Sequence, residues 1–335
     1  NAQLAEVMDT SDDWIRSRTG VERRRYAEPG VGSVELGARA VRAALADADV
    51  DPEEVDLLVS ATMTPDVFAP ANAPLIQHAA GLGPIAAYEL RQQCAGFLYG
   101  LEMANSLLET GRASVAVVVG AEVHAGYLPF GPTAWGRLRG THAGPVDPDE
   151  YAKATEGRAW AVLFGDGAGA AVLRRGGADE GFLAGRLFSD GAHHELIHVP
   201  GIGFRHQPYI DAAQLEAGMC EPHMNGMELF RQAVRAMPEA LVAATGAVGL
   251  TPDDLDVVVA HQANARIVAA VANQLGVSDD VVPGNIAAHG NTTAATLPIL
   301  YHELREAGRT ASGSLVGFTA FGAGAHWGAS VYRTP

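Results

Sequence analysis

Two kinds of apolar pattern alternate along this chain. Residues 55–61 and 113–120 are apolar almost throughout, as expected of strands covered on both faces of a sheet. Residues 85–90 read as a further short strand, and residues 161–173 end in an alternating one. Between these runs, apolar positions recur at helical spacing. Leu36, Ala40, Val41 and Leu45 make one stripe, with Ser33 placed to cap it. Leu98, Leu101, Met103, Leu107 and Leu108 make another. Leu4 and Val7 predict a helix at the start, and Asp9-Thr-Ser-Asp12 offers a cap before Trp14 and Ile15. Further helices are expected around residues 75–80 and over 225–244. Residues 181–188 and 195–199 read as a hairpin-like pair.

One segment repeats. Asp51-Pro-Glu-Glu-Val-Asp-Leu-Leu-Val-Ser60 aligns with Thr251-Pro-Asp-Asp-Leu-Asp-Val-Val-Val-Ala260 and shares Pro52/Pro252, Asp56/Asp256 and Val59/Val259 with it. Each copy follows an alanine-rich helix, and residues 314–320 echo 114–120. The pattern predicts a duplicated α/β unit, with halves at 1–174 and 175–335. At 335 residues and 48% hydrophobic content, the chain is long enough for two such cores.

Charge and cysteine content narrow the function classes. A net charge of −16 argues against nucleic acid as a partner, because binding it requires cations to neutralise phosphates. The two cysteines, Cys94 and Cys220, lie far apart and make no disulfide framework or metal pattern, which points to a reducing, cytoplasmic compartment. Residues 1–14 hold several acids and no apolar signal-peptide core, and no apolar run is long enough to span a bilayer.

The strongest chemical candidate is Cys94. It falls where the strand 85–90 gives way to the helix that follows, on that helix's first turn. There, unpaired N–H groups and the positive helix end favour a thiolate, and a thiolate is a nucleophile for an acyl group. A buried structural cysteine is the competing reading. The repeat puts His261 directly after a buried strand, at the sheet edge where α/β folds bind ligands. Asn291 lies in a loop leading into an apolar helix, where its amide suits either capping or donation to an oxyanion. Phe321-Gly-Ala-Gly-Ala-His-Trp-Gly328 is a glycine-rich turn between strands; its backbone N–H groups suit an oxyanion hole, and a tight hairpin is the plainer alternative.

These segments occur in a distinctive order. Asp9-Thr-Ser-Asp-Asp-Trp-Ile15 and Arg18-Thr-Gly20 come first, then Cys94-Ala-Gly-Phe97. Phe164-Gly-Asp-Gly-Ala-Gly-Ala170, His261-Gln-Ala-Asn264 with Arg266-Ile267, His289-Gly-Asn-Thr292 and the closing Phe321–Gly328 turn follow. Over essentially its whole length the chain resembles the β-ketoacyl-acyl-carrier-protein synthase III family of the thiolase superfamily. That resemblance implies a duplicated α-β-α-β-α sandwich, usually a homodimer. It implies that Cys94 takes an acyl group from a thioester. His261 and Asn291 would then bind a malonyl thioester carbonyl and stabilise the enolate formed as carbon dioxide leaves. The N–H groups of Cys94 and Ala323 would hold the tetrahedral oxyanion. Trp14, Arg18 and Arg158 match positions that grip the coenzyme A nucleotide, Asn264 and Gly226 line the pantetheine tunnel, and Phe68 closes the partner subunit's acyl pocket. Arg231 and Arg266 match a basic patch for an acyl carrier protein. The substrates would be coenzyme A or carrier-protein thioesters, with no separate cofactor and no metal.

Departures from the family pattern suggest specialised metabolism. The stretch 122–160 is longer than usual and carries Tyr127, Leu128, Phe130, Trp135, Arg137 and Arg139, which suit either a reshaped pocket or a surface or dimer contact. Asn273 and Gln274 stand where lysines are typical, so an acidic carrier protein meets fewer cations. His326 replaces the usual Thr. The family also carries a strand and loop ahead of the position of Asn1, so an N-terminal segment is expected to precede it. Two other functions remain open: acyl transfer to an alcohol or amine without condensation, and a non-catalytic ketosynthase partner subunit. His194-Glu-Leu-Ile-His198 matches a zinc-protease pattern that requires a helix, whereas its surroundings suit a strand. The glycine run at 165–169 precedes a strand, unlike a dinucleotide site.

Overall fold

A computed structural model describes residues 1–177 and 180–335. Its strands are β1 (Leu57–Ala61), β2 (Ala86–Leu90), β3 (Val115–Glu122), β4 (Gly167–Arg174), β5 (Gly181–Ser189), β6 (Ile197–His198), β7 (His223–Met224), β8 (Val257–Ala260), β9 (Leu315–Gly322) and β10 (His326–Arg333). One four-stranded sheet has the order β2-β1-β3-β4, the other β5-β10-β9-β8. In the first, β1 runs parallel to β2 and β3, and β4 is antiparallel to β3. In the second, β8 and β9 are parallel and β10 is antiparallel to both β9 and β5.

Five layers result. Helices Gly96–Glu109 and Thr296–Glu306 lie between the sheets, where Leu98, Leu101, Leu297 and Leu300 pack with Val59, Val118, Val259 and Phe318. Burying a leucine this completely contributes roughly 1.5–3 kcal/mol. Outside the first sheet, helices Ser33–Ala48 and Asn72–Ala79 set Val41, Leu45 and Ile76 against Leu58 and Val117. Outside the second, Gly226–Gly246 and Ala265–Leu275 set Leu241 and Val271 against Val258 and Val331. This is the thiolase-type α-β-α-β-α sandwich expected from the sequence.

The repeated segment folds the same way twice. Pro52–Glu54 and Pro252–Asp254 are 3-10 turns, each closed by a reciprocal capping box, Asp51 with Glu54 and Thr251 with Asp254. The shared aspartate then ties two strands together. Asp56 accepts from the Ser114 N–H at 2.8 Å and Asp256 from the Leu315 N–H at 2.8 Å.

Four local expectations change. The hairpin-like pair does not form: β5 joins β10, where a long ladder is available, and β6 pairs with β7. Ser33 is the first residue of its helix and donates to the Thr64 carbonyl at 2.7 Å, while the carboxylate of Asp66 meets the Val34 N–H. The first predicted helix is only a 3-10 turn, Leu4–Glu6, whose Leu4 is buried along with the following Val7. Finally, Cys94 lies in a 3-10 turn, Gln93–Ala95, one step ahead of the helix.

Candidate active site

Three chain segments converge on one cavity of about 450 Å³. The first is the 3-10 turn holding Cys94. It is entered through Gln93 at φ 52°, the left-handed region that an L-residue occupies only under constraint. The second is the end of β8, where the His261 N–H extends the ladder to the Thr319 carbonyl at 2.9 Å. The third carries Asn291, pinned beside Phe164 by its N–H to the Leu163 carbonyl (2.8 Å) and its carbonyl to the Gly165 N–H (3.1 Å). Cys94, His261 and Asn291 are all buried and all line the cavity, together with Ala323, Asn264, Gly226 and Phe68.

Each polar group has a defined orientation. The Asn291 Oδ1 accepts from the Thr293 N–H at 2.8 Å, which leaves the amide's two N–H donors at its other end. His261 Nδ1 lies 2.7 Å from the Thr296 hydroxyl. The turn between β9 and β10 closes over Cys94. A Cβ built on Gly322 would come within 2.7 Å of the Gln92 carbonyl and 3.0 Å of the Cys94 nitrogen, so only glycine lets this turn approach. Ala323 follows it in the cavity wall.

The electrostatics reverse one expectation. Burial pushes the Cys94 thiol up to about 12, the Glu122 carboxylate adds to the rise, and the cysteine's own backbone N–H opposes it. The resting group is therefore a thiol, because desolvation outweighs the helix end. Burial holds His261 neutral, lowering it to about 3. Glu122, fully buried, is raised to about 6 by burial, although Thr64 Oγ1 donates to it at 2.7 Å and the Met63 and Ala294 N–H groups face it.

Trp14, Arg18 and Arg158 stand together outside the cavity lining. The Arg18 and Arg158 guanidinium groups lie 4.4 and 4.8 Å from the Trp14 ring centre, and Arg158 is also held by the Asp9 carbonyl and carboxylate. Ser11 caps this helix, Asp12–Thr19, through the Trp14 N–H, and Gly20 ends it. Asn264 Nδ2 donates to the Arg18 carbonyl at 3.0 Å, so the tryptophan platform adjoins the cavity wall. Arg266 is exposed but donates to the Ser17 carbonyl at 2.6 Å, and Arg231 pairs with Glu228 at 3.3 Å. Phe68 sits at the rim of its own chain's cavity, edge-on to Phe204 at 5.0 Å.

The long stretch 122–160 is no loose surface loop. Leu128, Phe130 and Ala134 are buried against Leu4, Val7, Met8 and Ile15, and Tyr127 reaches the cavity. His326 braces the ends of two strands, with Nδ1 2.8 Å from the Ser189 hydroxyl. His194 lies in a 3-10 turn and His198 on β6, so the H-E-x-x-H spacing has no helix. Among the described residues no group of three or more His, Cys, Asp or Glu suits a metal ion. Among them, too, no helix is long and apolar enough to cross a membrane. The sequence reading did not single out Arg91, Gln93, Met63 and Thr296: the first three line the cavity and the fourth stands behind it.

Fold and site together define a condensing enzyme of the thiolase superfamily, and comparison with known proteins narrows the class. The family model for the 3-oxoacyl-[acyl-carrier-protein (ACP)] synthase III C terminal matches residues 246–334, and that for the thiolase N-terminal domain matches residues 16–125. The chain is 38% identical to the beta-ketoacyl-[acyl-carrier-protein] synthase III of Symbiobacterium thermophilum, over 99% of this chain and 93% of that protein. The crystal structure of 3-oxoacyl-(acyl carrier protein) synthase III from Pseudomonas aeruginosa superposes with a TM-score of 0.84 at 37% identity, covering 100% of this chain and 93% of that one. The priming beta-ketosynthase of the R1128 polyketide pathway superposes at 0.83 with 30% identity, over 100% and 91%. This chain belongs to the β-ketoacyl-acyl-carrier-protein synthase III family and is an acyl-transferring condensing enzyme.

Proposed function

We propose that the protein joins an acyl group to a malonyl-derived two-carbon unit with loss of carbon dioxide. The observation that carries this reading is the convergence of Cys94, His261 and Asn291, from three separate segments, on one cavity roofed by the Gly322–Ala323 turn. Cys94 attacks the acyl thioester, and the departing thiolate takes up a proton as the thiol loses one. The acyl-cysteine then waits in the buried site. A malonyl thioester enters past the Trp14 platform and along Asn264 and Gly226. N–H donors of His261 and Asn291 meet its thioester carbonyl, and the carbon–carboxylate bond breaks to give carbon dioxide and an enolate. The enolate carbon attacks the acyl carbonyl, whose developing oxyanion faces the Cys94 and Ala323 N–H groups; the cysteine sulfur leaves as the oxyanion collapses and takes up a proton from solvent to regain the thiol. No step calls for a cofactor beyond the two thioesters.

The buried neutral imidazole supports this reading, since an uncharged ring is a donor that need not lose a proton. We take the chain as two halves, 1–174 bearing the nucleophile and 175–335 the two donors, working as a homodimer with Phe68 of each copy near the other's acyl pocket. Arg231 and Arg266 serve a carrier protein, with Arg266 first released from Ser17. Tyr127, carried into the cavity by the packed stretch 122–160, supports a specialised acyl group. The test is product analysis with an acyl-coenzyme A panel and malonyl-coenzyme A or malonyl carrier protein. A β-ketoacyl thioester formed with one equivalent of carbon dioxide supports condensation. An ester or amide formed from added alcohols or amines, without carbon dioxide, overturns it in favour of plain acyl transfer. No product and no acyl-enzyme indicates a partner subunit.

A further inference from the structure

His261 and Thr296 are each about 2% exposed, and the ring nitrogen Nδ1 lies 2.7 Å from the Thr296 hydroxyl oxygen. The same oxygen lies 2.9 Å from the Thr293 carbonyl oxygen. A threonine hydroxyl carries one proton, so it donates to only one of these two acceptors. If it donates to the carbonyl, Nδ1 must carry the ring proton, and Nε2 of the neutral imidazole becomes a bare lone pair. If it donates to Nδ1, the ring proton sits on Nε2. Thr293 O already accepts the Thr296 backbone N–H, so the carbonyl is satisfied without the hydroxyl.

We infer that Thr296 is a positioning residue: its hydroxyl donates to Nδ1 and holds His261 in the tautomer that offers Nε2–H to the substrate carbonyl. This inference rests on the condensing reading, in which Nε2 must donate. A histidine's working nitrogen is commonly set by the partner of its other nitrogen. The arrangement also links the two donors. The Thr293 N–H fixes the Asn291 amide, and the helix start at Thr296 fixes His261, so one turn with Thr293 at φ 46° sets both. No sequence motif marks Thr296; its role appears only when β8 and the helix Thr296–Glu306 are brought together.

The test compares Thr296→Val, which keeps the shape and deletes the hydroxyl, with Thr296→Ser, which keeps the hydroxyl. Cys94 acylation is followed by intact mass and condensation by carbon dioxide release. Loss of a partner that orients a working histidine typically costs ~10–100-fold. That loss is expected in condensation for Thr296→Val, with acylation within ~3-fold of wild type and Thr296→Ser near wild type. Nitrogen-15 spectra of histidine-labelled wild-type protein, assigned with His261→Ala, read the tautomer directly and do not depend on the valine variant folding. A protonated Nε2 and bare Nδ1 are expected. A protonated Nδ1 in the wild type, or full condensation by a folded Thr296→Val, overturns the inference. If the wild type condenses no donor, the functional reading fails, while the spectra still decide the Thr296–His261 bond.

Discussion

The two elbows of this molecule are built alike and carry different chemistry. Gln93–Ala95 and Thr293–Ala295 are both 3-10 turns entered at positive φ, 52° at Gln93 and 46° at Thr293, and both feed a helix of the central layer. In the first, the next residue is Cys94; in the second it is Ala294. The strands behind them differ in the opposite sense. Strand β1 ends in Ala61, and the residue after β8 is His261. Duplication supplied two equivalent launching points for side chains. In the proposed mechanism one half supplies the nucleophile and the other the hydrogen-bond donors; alanine stands at 294 opposite Cys94 and at 61 opposite His261, while Arg91 stands opposite Asn291. The division fits two half-reactions that share one cavity. Glu122 ties the end of β1 to the second elbow, its carboxylate facing the Met63 N–H beyond β1 and the Ala294 N–H.

The sharpest way to break this comparison is to move the thiol. In a Cys94→Ala background, Ala294→Cys should restore no acyl-enzyme, because Ala294 is fully buried and outside the cavity lining. Intact mass after incubation with acyl-coenzyme A reads this, and labelling at position 294 would show the elbows to be interchangeable. Next in size, His261→Ala or Asn291→Ala should slow condensation by ~10²–10³, the usual cost of an oxyanion donor, while Cys94 still acylates. Single-turnover carbon dioxide release measures the first and mass the second; equal loss of both would erase the division of labour.

A smaller effect concerns stability. Glu122 rises from 4.5 to about 6 on folding, chiefly through burial. Between these values the folded chain keeps a proton that the unfolded chain has released, so stability from this group falls as pH rises through that window, by about 2 kcal/mol. Urea unfolding of wild type and Glu122→Gln across pH 4–7 should show a stability difference that shifts by that amount, and a constant difference would refute the buried-carboxylate account. Smallest, Trp14→Ala should raise KM for coenzyme A donors ~10-fold with kcat kept, as expected of a stacking platform outside the cavity. Steady-state kinetics decide, and a fall in kcat alone would place Trp14 elsewhere.

Much of this was legible in the sequence. Pro52/Pro252 and Asp56/Asp256 announced the duplication because a capping turn and a strand-tying carboxylate each depend on local residue type. Cys94, His261 and Asn291 could be read as candidates because each sits where a strand ends or a helix begins. Other features depend on contacts distant in sequence. The pairing of β5 with β10 joins the first and last strands of the second sheet in chain order, and no local pattern encodes it. The thiolate expectation failed because helix-end electrostatics are local and visible in sequence, whereas desolvation depends on the whole surrounding fold. Thr296 was missed for the same reason: it meets His261 from 35 residues away.

The central claim is that Cys94 holds the acyl group while His261 and Asn291 carry out the condensation. The most direct test is intact-protein mass of wild type and Asn291→Ala, first with an accepted acyl-coenzyme A and then after a chase with malonyl thioester. Both proteins should gain the acyl mass, and only the wild type should lose it on the chase, with β-ketoacyl product appearing. An Asn291→Ala protein that discharges as fast as wild type, or that never acylates, would contradict the account.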